Sequence, residues 1–378
     1  MKTVCQLLHT LHVGGAEILA QRLGWNLREA GWRCLFFCLD EEGTGGERLR
    51  NAGFEVRTLG RKPGWDFGCM RKMARWWAEE GVEVVQAHQY TPFFYAMNAR
   101  GFFGRTPPIL FTEHGRFFPD LPNWKHRMFN RWMVRKTDRL VAVSKSVKRA
   151  LVENEGLPDE RIEVIYNGVP EPVVTEGEKM RLRETFGLGK RPILLMAARL
   201  DTIKDHPTAI RAMGELLRRE PWNRCPEETL PRLVLAGGGP RHDFLQSLIY
   251  QENLQNHVRL LGERSDVTVW MALADIFLLT SLSEGIPLTI LEAMASRTPV
   301  VATSVGGIPE ILEPHRTARL VSAGDVRGIA DALDFLLKNP DEARQMADLA
   351  HSHYQERLTE TEMVRQYQAL LTGMTSEK

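Results

Sequence analysis

The chain has 378 residues, of which 43% are hydrophobic and 26% charged, and its formal net charge is +1. That length suits two domains, and so balanced a charge offers no global field to attract nucleic acid. Five cysteines (Cys5, Cys34, Cys38, Cys69 and Cys225) are odd in number and form no C-x-x-C pair. They fit a reducing cytoplasm better than a disulfide framework or a zinc site. The opening "MKTVCQLLHTLHVGG" is too short and too interrupted for a signal peptide, and runs such as "PILLMA" fall far short of the ~20 apolar residues of a spanning helix. The expectation is a cytoplasmic protein that does not cross a membrane, with the membrane's inner face left open as a docking place.

Short apolar strands alternate with amphipathic helices. "TVCQLLH" (3–9) reads as a strand, and a helical pattern over 16–31 follows it. "RCLFFCL" (33–39), "FEVRTL" (54–59), "VEVVQAH" (82–88), "PILFTEH" (108–114) and "RLVAVS" (139–144) continue the strands. "IEVIYNGVPEP" (162–172) carries Asn-Gly and two prolines and reads as a linker. Beyond residue 190 the alternation restarts, with strands at 192–198, 232–238, 258–262, 275–280, 299–303 and 318–322, and 326–373 is mostly helical. The fold class expected is α/β: two Rossmann-like doubly wound domains facing across a cleft. They would occupy 1–168 and 169–356, with a C-terminal helix over 357–378 packing back on the first. In such sheets ligands bind beyond the carboxyl ends of the strands.

Several polar motifs stand at those ends. In "EGIPLTILEAMA" (284–295), Pro287 suits the first turn of a helix and leaves Glu284 in the loop before it. Free amides and the dipole at that helix tip favour an anion such as phosphate. Glu292 lies five residues beyond Pro287, roughly 7.5 Å along the axis. A carboxylate accepts two hydroxyls at once, so both acids suit a sugar-bearing ligand; taken alone, they read more readily as a solvated loop acid and a helix-surface acid. "LHVGGAEILAQRL" (11–23) places Gly14 and Gly15 at a strand-to-helix turn where backbone can approach an anion, without the G-x-G-x-x-G fingerprint. "AARLDTIKDHP" (197–207) offers Arg199 and Lys204, two cations suited to a diphosphate. "FTEHG" (111–115) ends a strand with His114, which can hydrogen-bond a substrate or serve in proton transfer. There is no D-x-D, and two cations and a helix tip can neutralise a diphosphate, so no metal and no cofactor are expected.

Taken in order, "GGAE", "R-L-D-x-x-K-D-H", "AGGGP", "SLSEGIPLTILEAMA" and "VVATSVGGIPEIL" resemble the motifs of the retaining GT-B type glycosyltransferases of family four, over most of the chain. The E-x7-E spacing of Glu284 and Glu292 is the most specific of them. The resemblance implies a nucleotide-sugar donor, UDP- or GDP-linked, held mainly by the second domain. By that resemblance Arg199 and Lys204 clamp the diphosphate, Glu284 lies near the donor sugar, and Glu292 takes the ribose hydroxyls. The backbone of Gly285, Ile286, Pro287, Leu288 and Thr289 cradles phosphate and sugar, Gly15 belongs to the loop that closes on the diphosphate, and His114 is the active-site histidine. Ala198 departs from the pattern, which has glycine before the arginine. Retention in this family is usually explained by front-face attack, with no carboxylate nucleophile and the leaving diphosphate helping to deprotonate the acceptor.

The acceptor side is less legible. Residues 115–149 hold ten Lys/Arg against two acids, a net +8, so the rest of the chain carries −7. Phe117, Phe118, Trp124, Phe129 and Trp132 interleave with the cations. The mixture suits an anionic membrane surface or a lipid-linked acceptor, and equally a core helix with a basic outer face, with Phe129, Trp132 and Met133 inward. Nucleic acid is the poorer partner, because no nucleic-acid module is recognisable. Expected function is transfer of a hexose-type sugar to a glycan or lipid-linked acceptor in cell-surface polysaccharide or glycolipid synthesis. A nucleotide-sugar 2-epimerase and a non-catalytic nucleotide-sugar binding protein remain as alternatives, and an NAD-dependent dehydrogenase is disfavoured.

Overall fold

The computed structural model describes residues 1–12, 14–103, 107–115, 120–122 and 124–376. Seven parallel strands form the first sheet: β1 (Thr3–Thr10), β2 (Arg33–Glu41), β3 (Glu55–Thr58), β4 (Val84–His88), β5 (Ile109–Glu113), β6 (Arg139–Ala142) and β7 (Ile162–Val164). Six more form the second: β8 (Ile193–Ala197), β9 (Arg232–Ala236), β10 (Val258–Gly262), β11 (Ile276–Leu279), β12 (Val300–Thr303) and β13 (Arg319–Val321). The orders are β3-β2-β1-β4-β5-β6-β7 and β10-β9-β8-β11-β12-β13. The chain divides into two compact units, Met1–Asn167 with Glu360–Lys378, and Gly168–Thr359.

Helices cover both faces of a parallel sheet, so its central strands are apolar on both sides. Val4, Leu7, Val84, Val85, Leu110 and Phe111 are fully inaccessible or nearly so in the first sheet. Leu194, Leu195, Val234, Phe277, Leu278 and Val301 play the same part in the second. Each sheet also reverses the direction in which strands are added, at β1/β4 in the first and at β8/β11 in the second. At such a switch point neighbouring loops leave the sheet in opposite directions and open a crevice at the strands' carboxyl ends.

One local expectation changes. The stretch expected to be linker begins as β7, which pairs with β6 at Leu140 and Ile162. Ile162 and Ile165 are each only 3% exposed, so their apolar side chains hold this piece on the sheet before the chain passes to the second unit at Gly168. The C-terminal helical region consists of Val326–Lys338, Pro340–Arg357 and Glu360–Ser376. The last of these packs on the helix Gly15–Glu29 and on β4. Among the described residues no helix is long and apolar enough to cross a membrane.

Candidate functional site

In the second unit the site is built where the sheet reverses. The loop after β8 is tied to the one after β11 by the Leu282 amide, which donates to the Ile203 carbonyl at 2.7 Å. Thr280, fully buried, donates its hydroxyl to the Lys204 and Asp205 carbonyls at 3.1 and 2.9 Å. These bonds hold Lys204 against the loop that carries Glu284. Lys204 Nζ then donates to Glu284 Oε1 at 2.5 Å, and the Ser281 hydroxyl donates to the same oxygen at 2.6 Å. The pair is half-sheltered, with side-chain exposures of 23% for Lys204 and 9% for Glu284. At that depth a charge-assisted bond is stronger than on the surface, because water competes less.

The acids' helix is Leu288–Ala295, and Pro287 is its N-cap with ψ 125°. The expectation put Pro287 inside the first turn; its extended backbone places it one residue earlier. Among the described residues the Leu288 and Thr289 amides take no backbone acceptor, so they form the open tip. Glu292, partly exposed, lies four residues beyond Leu288, about 6 Å along the axis. Arg199 is exposed and pairs with no carboxylate among the described residues. Lys204 and Glu284 are therefore brought together, while Arg199 stands apart from their ion pair.

Sequence reasoning quoted "VVATSVGGIPEIL" and "AGGGP" without giving their glycines a role. Gly306 has φ +55°, and a Cβ there would lie 1.8 Å from the Glu284 carbonyl oxygen. The Gly307 amide donates to the Gly285 carbonyl at 3.0 Å, so this loop holds the backbone at Glu284 and Gly285. A Cβ on Gly237 would lie 2.0 Å from the Ala198 carbonyl oxygen, which lets the β9 loop close on the loop carrying Arg199. Only glycine permits either approach. Ser281 was also missed; its signal is the serine three positions before Glu284.

In the first unit the corresponding ends belong to β1, β4 and β5. Gly15 opens the helix Gly15–Glu29, and a Cβ there would meet nothing within 4 Å. The protein's own packing therefore does not demand glycine at this position. His114 follows β5 directly, and burial pushes its imidazole down to about 3. Its Nε2 lies 2.8 Å from Nδ1 of His88, the last residue of β4. Among the described residues no three His, Cys, Asp or Glu side chains cluster as metal ligands.

The basic aromatic segment is described in part; Arg116, Phe117, Phe118 and Pro119 lie outside the described residues. Its helix, Trp124–Met133, turns Phe129 inward, with its ring centroid 4.9 Å from that of Phe94. Asn130 is buried and bonds Tyr90 and the Glu155 carbonyl. Trp132, which the core-helix alternative placed inward, is 84% exposed. It continues an i, i+4 stripe with Trp124 and Met128, 67% and 58% exposed.

Two family models match the chain: "Glycosyltransferase Family 4" over residues 13–171 and "Glycosyl transferases group 1" over 179–353. N-acetyl-alpha-D-glucosaminyl L-malate synthase of Bacillus anthracis is 26% identical over 370 residues, covering 95% of this chain and 93% of that protein. D-inositol 3-phosphate glycosyltransferase of Nocardia farcinica is 32% identical over 231 residues, covering 58% of this chain and 49% of that one. Among solved structures, Anabaena HepE in complex with UDP superposes with a TM-score of 0.83 at 21% identity, over 99% of this chain and all of that one.

Proposed function

Because the chain belongs to the GT-B glycosyltransferases of family four and group 1, we propose that it moves a hexose-type sugar, with retention, from a nucleotide-diphosphate sugar to a glycan or lipid-linked acceptor. One observation carries the donor half: Lys204 and Glu284 meet at the β8/β11 reversal, in the loops leading to a helix with open amides. A cation and a helix tip suit a diphosphate, and a carboxylate suits sugar hydroxyls. Lys204, Arg199 and the amides of Leu288 and Thr289 would take the diphosphate charge without a metal. Glu284 would orient the sugar, and Glu292 would accept the ribose hydroxyls. Gly285, Ile286 and Pro287 would line the cradle; in the first unit, Gly15 would let backbone approach an anion and His114 would bond a substrate hydroxyl. Positive groups aimed at the leaving diphosphate stabilise charge that grows as the bond breaks. No cofactor enters this scheme; the donor is a substrate.

HepE is described with UDP and with UDP-glucose, which supports a UDP-linked donor ahead of a GDP-linked one. A thermal-shift panel of UDP, GDP, ADP and their sugars tests the donor half. A ligand at a hundred times its Kd stabilises by about 2.7 kcal/mol. A flat response to every nucleotide would remove the donor site. Product analysis with donor alone separates transfer from 2-epimerisation, which needs no acceptor, and binding without turnover under any acceptor would leave only a nucleotide-sugar binding protein.

For the acceptor half, the outward stripe of Trp124, Met128 and Trp132 among cations supports peripheral docking on an anionic cytoplasmic membrane face. That location suits a protein making cell-surface polysaccharide or glycolipid from a lipid-linked acceptor.

A further inference from the structure

Behind His114 a row of buried polar side chains crosses three strands of an otherwise apolar sheet. Gln6, Gln86 and Thr112 are fully inaccessible and His88 is 1% exposed. Gln6 and Gln86 are direct partners across β1 and β4, and His88 and Thr112 across β4 and β5. Gln86 and His88, two apart on one strand, share a face. The row runs from His114 Nε2 to His88 Nδ1 at 2.8 Å, and from His88 Nε2 to Gln6 Oε1 at 2.6 Å. It continues from Gln6 Nε2 to Gln86 Oε1 and from Gln86 Nε2 to Thr112 Oγ1, each at 3.1 Å. Four such groups in a sheet core cost several kcal/mol unless paired, and here each is paired.

The amides give the row one direction. The oxygen of Gln6 can only accept, so His88 Nε2 carries a proton. Burial keeps both imidazoles neutral, and a neutral ring has a single N–H. His88 Nδ1 is therefore a bare acceptor, and the proton between the two rings sits on His114 Nε2. His114 Nδ1 is left with a lone pair, and among the described residues it has no hydrogen-bond partner.

We propose that His88, backed by Gln6 and Gln86, is a positioning residue that locks His114 in its Nε2–H tautomer, so that Nδ1 is held ready to accept a hydrogen bond from a substrate hydroxyl. The identity of that hydroxyl rests on the proposed sugar transfer; the tautomer does not. In a triad, a residue acting through the histidine likewise fixes tautomer and orientation without touching substrate.

The test is a long-range ¹H–¹⁵N spectrum of the full chain labelled at histidine, recorded without ligand. Wild-type His114 should show an unprotonated Nδ1 and a protonated Nε2. His88→Phe keeps a ring without nitrogens, and Gln6→Met keeps the length of the side chain without the acceptor; each should turn His114 into a mixture of tautomers. With UDP-glucose as probe, release of glucose to water should fall about tenfold to a hundredfold in kcat in both variants, with KM nearly unchanged. A protonated Nδ1 in the wild type, or a single unchanged tautomer in the variants, overturns the proposal. If His88→Phe does not fold, the wild-type spectrum and Gln6→Met decide. Absence of sugar release by the wild type would sink the UDP-glucose donor alone, because the spectrum needs no substrate.

Discussion

Lys204 Nζ lies 2.5 Å from Glu284 Oε1, joining residues 80 positions apart at the point where the second sheet reverses. The two were read from the sequence as separate features, a cation for phosphate and an acid for sugar. In the protein they are one charge pair, with Ser281 as a third member. Without donor, the cation proposed for the diphosphate is thus paired with the group proposed to hold the sugar. Donor binding would then exchange an internal ion pair for external ones.

Lys204→Ala leaves Glu284, 9% exposed, with one hydroxyl donor. Breaking a fully buried pair costs 3–5 kcal/mol, and this one is partly wet, so about 1–3 kcal/mol is expected in a urea titration. Arg199→Ala should leave stability within about 0.5 kcal/mol, since Arg199 is exposed and among the described residues has no carboxylate to lose. Both should lower turnover more than nucleoside affinity. Wild-type turnover in both variants would take the clamp out of the mechanism, and loss of activity on adding EDTA would contradict metal independence.

Glu292→Ala should weaken nucleotide affinity with little change in fold. A charged hydrogen-bonding partner lost to two hydroxyls costs about 1.5–3 kcal/mol, roughly tenfold to a hundredfold in Kd. Calorimetry with UDP against uracil separates the contributions: equal affinity for UDP in wild type and variant would rule out the ribose role.

Gly306→Ala should be more damaging than any surface alanine nearby. The new Cβ would lie 1.8 Å from the Glu284 carbonyl at a backbone angle of +55°, so strain and displacement of that loop come together. A lowered melting temperature with weakened donor binding is expected. A variant that binds and melts like the wild type would show that this loop is not part of the cradle's support.

His206 is 1% exposed, and burial lowers its imidazole from 6.5 to about 4. The unfolded chain takes a proton near 6.5 that the folded chain refuses until about 4. Stability is therefore full above pH 6.5 and falls as the pH drops through that window. His206→Gln should flatten the slope by about 1 kcal/mol per pH unit near pH 5, read from urea midpoints. An unchanged slope would mean that His206 is not the group responsible.

Anionic vesicles should sediment with the protein at low salt and release it as salt rises, since screening shortens electrostatic reach to about 8 Å at physiological ionic strength. Arg131→Glu with Arg135→Glu should weaken this steeply while leaving nucleotide binding intact. Equal, negligible binding to anionic and neutral vesicles would end the membrane reading.

The strand pattern was legible because parallel sheets bury both faces, and runs such as "PILLMAA" and "DIFLLT" announce that directly. β7 was hidden because three residues beside Asn-Gly and prolines look like a turn, and only the edge of β6 makes them a strand. Lys204, Glu284 and His114 were visible as candidates, since polar residues at strand ends are conspicuous. Their partners were not. Ser281 is one serine among several, and Gln6, Gln86 and His88 sit inside strands, where periodicity counts them as core. Trp132 was left open because positions three and four residues from Phe129 both count as helical neighbours, and only the packing against Phe94 decides between them.

The helix Glu360–Ser376 belongs to the first unit, where Met363, Tyr367 and Leu371 are each at most 1% exposed. A ribosome makes those residues only after the whole of Gly168–Thr359. For that interval β4 and the helix Gly15–Glu29 lack the apolar cover that this helix supplies. The first unit therefore cannot close its core until the whole of the second has been translated, and the half of the protein begun first depends on residues made after the other half.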